Sequence, residues 1–139
     1  MEILYTAEAT AYGGRKGRVT SDDDRLDVEL SAPKEMHGDG GDGTNPEQLF
    51  AAGYAACFHS ALRLVARKLG IDATDSTVTA RVGIGMTDGG PGYGLTVELL
   101  VAVPTVDRET AENLTTTAHQ VCPYSNATRG NIPVTLTVT

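Results

Sequence analysis

Two cysteines, Cys57 and Cys122, stand 65 positions apart in a chain of 139 residues. A thiol acts as a nucleophile or redox group through its thiolate, so its neighbours decide whether it reacts. Only the fold can bring these two together. With Cα atoms about 5–6 Å apart they could form and break a disulfide. A nearby guanidinium would favour the charged sulfur. Arg15, inside the turn Gly13-Gly14-Arg15-Lys16-Gly17, is one candidate, and Arg129, close after Cys122, is another. The spacing leaves both open. An inert reading stands beside the reactive one. Free cysteine often only fills core space, Glu47 would then only complement a helix dipole, and Arg15 would be an ordinary turn residue.

Other chemistries fit less well. Cys57, His59, His119 and Cys122 are zinc-ligand types. His119 and Cys122 could share a helix face. Cys57 and His59 point about 200° apart on a helix of 3.6 residues per turn, so the four do not converge easily. A Cys–His hydrolase needs an orienting third residue and an oxyanion hole, and no spacing marks them. His37, His59 and His119 read as structural or solvent-facing. The glycine clusters lack the following Lys of a phosphate-binding loop.

Cys57 lies in the middle of a stretch of small and apolar residues from Ala51 to Ala61. Thr44 or Asn45 can cap its first turn. Thr44 with Glu47 fits a capping box, and Pro46 suits the first turn. The helix is expected to run to Gly70, which can take a left-handed cap. A helix apolar on most of its surface is expected to be buried on most sides, in a core or a dimer interface.

Around that helix the alternation predicts strands. One is expected over Glu2–Tyr12, one from Arg18, and one carrying Leu26, Val28 and Leu30, with Ser21–Asp24 as the hairpin turn. Residues 32–43 read as a loop. Two more strands carry Val78–Ile84 and Leu95–Val101 across the turn Thr87–Gly92. Asp107 caps a second helix, on which Ala111, Leu114, Ala118, Val121 and Cys122 share a face. Ile132–Val138 is the last strand. The fold class is α+β with mainly antiparallel strands around a buried central helix.

The length suits one domain, here 1–139, large enough for a real core. A net charge of −7 argues against nucleic acid and anionic membranes as partners. No secretory leader is expected at the N-terminus, and no apolar run is expected to reach the ~20 residues of a membrane span. The cytoplasm is the default, where two cysteines point away from a permanent structural bridge.

Three segments carry a family resemblance: Gly13-Gly14-Arg15, the run from Asn45-Pro46-Glu47 to Ala56-Cys57-Phe58, and the run from Ala118-His119-Gln120-Val121-Cys122-Pro123-Tyr124 to Arg129-Gly130-Asn131. Together they resemble the organic hydroperoxide resistance (Ohr) family of the OsmC-like superfamily, in order and across nearly the whole chain. The resemblance implies an OsmC-like fold, an intertwined homodimer and a thiol peroxidase that reduces organic hydroperoxides to alcohols. It implies Cys57 as the peroxidatic thiol and Cys122 as the resolving one, joined in a disulfide during turnover. Arg15 and Glu47 would support the thiolate. A lipoylated protein or other dithiol would be the reductant, with no metal or bound organic cofactor. Phe50, Phe58, Tyr124 and Ile132 would wall an apolar substrate pocket or serve as plain core. The alternatives are a broader OsmC-type peroxidase and a non-catalytic redox sensor or ligand-binding protein on the same fold. Glu47 and Cys57 are about 15 Å apart along an unbroken helix. A helix break between them, or a Glu47 from a second subunit, is therefore expected.

Overall fold

The computed structural model describes residues 1–139, which form two compact units, Met1–Leu49 and Phe50–Thr139. The first unit is a small antiparallel sheet of β1 (Ala9–Tyr12), β2 (Arg18–Ser21) and β3 (Asp27–Glu29), in that order. The strand expected from Glu2 begins only at Ala9, because β2 is four residues long and pairs with nothing earlier. The turn between β1 and β2 is a single 3-10 turn over Gly14–Lys16. Gly17 closes it: a Cβ there would lie 1.6 Å from the Tyr12 carbonyl oxygen. After β3 the chain returns beside it. Thr44 N–H donates to Glu29 O, and Ser31 N–H donates to Thr44 O, both at 2.9 Å.

Helix α1 (Pro46–Leu69) starts in the first unit and runs into the second without interruption. Its cap is not the expected Thr44–Glu47 box. Asn45 Oδ1 accepts from Gln48 N–H at 2.8 Å, while Thr44 Oγ1 reaches the Gln48 side chain. Its end is as expected. Gly70 has φ +66°, its N–H donates to Arg67 O, and Ile71 N–H donates to Ala66 O. These are the two bonds of a Schellman motif.

α1 is buried on one face only, through Tyr54, Phe58, Ala61, Leu62, Val65 and Ala66. Ala52, Ala56, Ser60, Arg63 and Arg67 form an exposed stripe on another face. Within the chain the core therefore takes one face of α1, since the bulky residues are the ones that demand a core; the other expected location for the remaining apolar surface, a dimer interface, concerns a second copy. The absence of a span-length apolar run is corrected too. By length and composition α1 could cross a bilayer, with 24 residues and a window of mean hydropathy 1.4.

The second unit completes the core. β4 (Thr77–Met86) and β5 (Tyr93–Ala102) pair over ten residues, and β6 (Val134–Val138) lies parallel to β5. That one parallel pair departs from the hairpin pattern because β6 returns after two helices. α2 (Arg108–Val121) is capped as expected, Asp107 accepting from Thr110 N–H at 2.9 Å. Leu114 and Ala118 of α2 are buried with Val97, Leu99 and Val101 of β5. A short helix, α3 (Pro123–Thr128), follows Cys122, and the sequence pattern does not predict it. Val121 does not share the buried face but is exposed, because α2 stops at Cys122 and the chain turns there.

Candidate active site

Each half of the expected site is assembled inside its own unit. In the first, the 3-10 turn aims Arg15 at Glu47 of the first turn of α1. Two parallel bonds join them, Nη1 to Oε2 at 2.8 Å and Nη2 to Oε1 at 2.6 Å. The path can be traced through the backbone. Gly17 O accepts from Leu30 N–H at 2.8 Å, and Leu30 bridges to Thr44 just before the helix. Arg15 keeps about a third of its side chain exposed, while Glu47 keeps 14%. The Arg15 bonds hold the Glu47 carboxyl below its ordinary range, against a smaller opposing effect of burial. A fork-to-fork pair of this kind fixes the plane and direction of the guanidinium.

Glu47 here belongs to the same chain as Arg15, and α1 is continuous from Pro46 to Leu69. The expected helix break is therefore not found, and within the chain Arg15 pairs with its own Glu47. Gly53 is the only weak helix former between Glu47 and Cys57. It is there for packing, since a Cβ on it would lie 2.8 Å from the Tyr124 hydroxyl.

In the second unit the two cysteines meet. Cys57 Sγ on α1 and Cys122 Sγ lie 3.8 Å apart, both free. Cys57 is half-buried and Cys122 exposes nothing. Cys122 is both the C-cap of α2 and the N-cap of α3, with φ −63° and ψ 122°. Its sulfur accepts from Ser125 N–H at 3.5 Å.

Phe50, Tyr54 and Tyr124 form an aromatic cluster with ring centroids 5.7–6.2 Å apart. Tyr124 is 40% exposed, whereas Phe58 is wholly buried and Ile132 packs on the core. Phe58 also faces the His119 ring at 6.5 Å. A separate cavity of about 830 Å³ opens around His59, Arg63 and Arg67 and contains neither cysteine.

Arg129, the other candidate cation, donates instead to Asn126 Oδ1 at 2.8 Å and His119 O at 2.5 Å. It ties α3 to the end of α2. His59 Nε2 bonds Ser76 Oγ and His119 Nδ1 bonds Ser125 Oγ. No group of three or more His, Cys, Asp or Glu side chains converges on a metal position. Tyr54, Ser125 and Thr128 were not singled out in the sequence. Their hydroxyls meet in the core, with Tyr54 Oη 2.9 Å from Ser125 Oγ and 3.0 Å from Thr128 Oγ1. The only sequence signal was a tyrosine amid small helix residues, and two hydroxyls three apart after Cys122-Pro123.

The family model described as OsmC-like protein matches residues 38–137. A Xanthomonas axonopodis pv. citri protein named organic hydroperoxide resistance protein is 57% identical over 139 residues, covering 99% of this chain and 96% of its own. This chain belongs to the organic hydroperoxide resistance family. Solved Ohr structures share its α+β fold. The one from Elizabethkingia anophelis is 55% identical with a TM-score of 0.94, covering 100% of this chain and 99% of its own. The OhrB structure from Bacillus subtilis is 46% identical with a TM-score of 0.91, covering 99% of this chain and all of its own.

Within the second unit of this Ohr chain, burial pushes the Cys57 thiol up from its ordinary value. The backbone N–H of Tyr124 opposes that, and the neighbouring Cys122 adds to it. Burial disfavours the thiolate, and a second thiol beside it brings no compensating positive charge. These influences within the second unit favour the neutral thiol of Cys57 over its thiolate. Alkylation of Cys57 by iodoacetamide should rise through a pH above the ordinary thiol value of about 8.5 in an Arg15→Ala background. In a Cys122→Ala, Arg15→Ala chain the midpoint should move down, because two of the upward influences are gone. Peptide mass mapping of the alkylated sulfur reads both, and an unchanged midpoint would contradict the assignment to Cys122.

Proposed function

We propose that this chain is a cysteine-based peroxidase that reduces organic hydroperoxides to alcohols. The observation that carries the reading is the pair of free thiols, one half-buried and one buried, 3.8 Å apart. It agrees with the organic hydroperoxide resistance named for the relatives. In this reading the Cys57 thiolate attacks the hydroperoxide oxygen distal to the alkyl group. The O–O bond breaks, the alkoxide takes a proton and leaves as alcohol, and Cys57 becomes a sulfenic acid. Cys122 then attacks the Cys57 sulfur, releasing water and leaving a disulfide. A dithiol donor, such as a lipoyl group on a protein, exchanges with that disulfide and is oxidised in turn.

Arg15 is assigned to the thiolate and the peroxide, and Glu47 to its orientation. Burial pushes the Cys57 thiol up, and a guanidinium beside the sulfur would oppose that push by favouring the charged form. Phe50 and Tyr124 are assigned to meet an alkyl chain, a role supported by their aromatic cluster and the partial exposure of Tyr124, with Phe58 and Ile132 behind them in the core. An apolar wall favours bulky alkyl hydroperoxides over hydrogen peroxide. The 139 residues act as one functional domain. A second copy is taken as the partner, supported by the exposed Ala52–Ala56–Ser60 stripe and by the exposed Ile3, Leu4, Tyr5 and Tyr12.

With cumene hydroperoxide and dihydrolipoamide, the wild type should turn over and Cys57→Ser should fall to background. Cys122→Ser should consume one equivalent with a sulfenic acid left at Cys57. Equal turnover in Cys57→Ser would reject the nucleophile, and no turnover in the wild type would leave a redox sensor or ligand carrier. Arg15→Ala should lower kcat/KM roughly 10–100-fold, the range of a lost charge-assisted bond; wild-type efficiency at pH 7 would remove Arg15 from the site. Sedimentation equilibrium should give twice the chain mass of 14.6 kDa, and a monomer would remove the second copy.

A further inference from the structure

Three buried hydroxyls next to the thiol pair take no part in the peroxidase steps, and their bonds can be followed proton by proton. Thr128 Oγ1 donates to the Ser125 carbonyl at 3.2 Å. Its one proton is then used, so it accepts from Tyr54 Oη at 3.0 Å. Tyr54 has thereby given its proton and accepts from Ser125 Oγ at 2.9 Å. Ser125 Oγ in turn accepts from His119 Nδ1 at 2.8 Å. A hydroxyl has one proton to give, so one bond sets the direction of the rest and fixes His119 as its Nδ1–H tautomer. Tyr54 and Ser125 expose no surface, so bulk water cannot replace a lost partner.

The relay joins the two pieces of chain that carry the sulfurs. Tyr54 is on α1, three residues before Cys57. Ser125 is on α3, three residues after Cys122, and its N–H points at Cys122 Sγ. Cys122 itself is a non-helical joint between α2 and α3. From 3.8 Å, closing a bond of about 2.05 Å requires the sulfurs to approach by nearly 2 Å. α3, which follows directly after Cys122, is bonded to Tyr54 through Ser125 and Thr128.

We infer that the relay His119–Ser125–Tyr54–Thr128 holds the Cys122 sulfur at attacking distance from Cys57, with Tyr54 as a positioning residue for the disulfide step. The order of steps rests on the peroxidase reading above. In the step governed, the Cys122 sulfur attacks the sulfenic sulfur of Cys57. The S–S bond forms, the S–O bond breaks, and hydroxide leaves with the Cys122 proton as water. When this step is slow, a second hydroperoxide oxidises the sulfenic acid to sulfinic acid and is itself reduced to alcohol.

Tyr54→Phe removes one oxygen and keeps the ring, and Thr128→Val removes the hydroxyl at the far end of the relay. In single turnovers with excess cumene hydroperoxide, intact mass gives the ratio of sulfinate at Cys57 to disulfide. In either variant that ratio should rise roughly tenfold, the factor that one buried hydrogen bond carries, while the first equivalent of hydroperoxide is consumed at the wild-type rate. A second readout needs no peroxide. In dithiothreitol redox buffers, the Cys57–Cys122 pair should shift toward the dithiol by a similar factor. Folded variants with wild-type values in both readouts would overturn the relay. So would a variant that slows the first step as much as the second, since the role would then be general folding. A wild type that consumes no hydroperoxide would remove the peroxidase reading, and the dithiol equilibrium would still decide the relay by itself.

Discussion

The proposed reaction depends on the distance between Cys57 Sγ and Cys122 Sγ, and no single element sets it. Cys57 is carried by a long, rigid helix whose bulky face is locked into the core. Cys122 sits where two helices change direction, its sulfur accepting only a backbone N–H, that of Ser125. The join between them is made by polar atoms inside an apolar core. Each of those atoms was costly to bury and is held by a specific partner. A core of hydrocarbon alone tolerates small slides; a chain of directed hydroxyls does not.

The same logic operates at the other end of α1 with charge in place of hydroxyls. Arg15 lies on a three-residue turn that would be mobile if left alone. Two parallel bonds to Glu47 give it one orientation, and the backbone path through Gly17, Leu30 and Thr44 gives it one position within its unit. The pair is partly exposed, so its contribution to stability is small. Its value lies in direction, which a single contact from a lysine ammonium would not supply.

What was legible in the sequence was what is decided locally. Asp107 caps α2, Gly70 ends α1, and the alternation over Val78–Ile84 and Leu95–Val101 reads directly as the β4–β5 hairpin. Where the chain needed a distant partner, local pattern misled. Glu2–Ala7 reads as part of the first strand, but β2 is too short to reach it, and the last backbone bond on that side is Asp22 N–H to Glu8 O. β6 pairs in parallel because two helices intervene. Cys122 looked like one more buried position of α2, yet Pro123 suits the start of a new helix, and that changes where the thiol points. The family motif identified Cys57, Cys122, Arg15 and Glu47 as residues of interest. The contact of Tyr54 with Ser125 and Thr128 spans more than 70 residues, and no spacing rule reaches that far.

The unequal burial of the two sulfurs has a consequence of its own. A bond between Cys57 and Cys122 would present one sulfur to the outside and hide the other completely. An incoming thiol would therefore have a single point of attack, and the buried sulfur would always be the one expelled. Such a disulfide has a front and a back. Its reduction would run in one direction, with any mixed disulfide formed at Cys57, and Cys122 would never be joined to a foreign molecule.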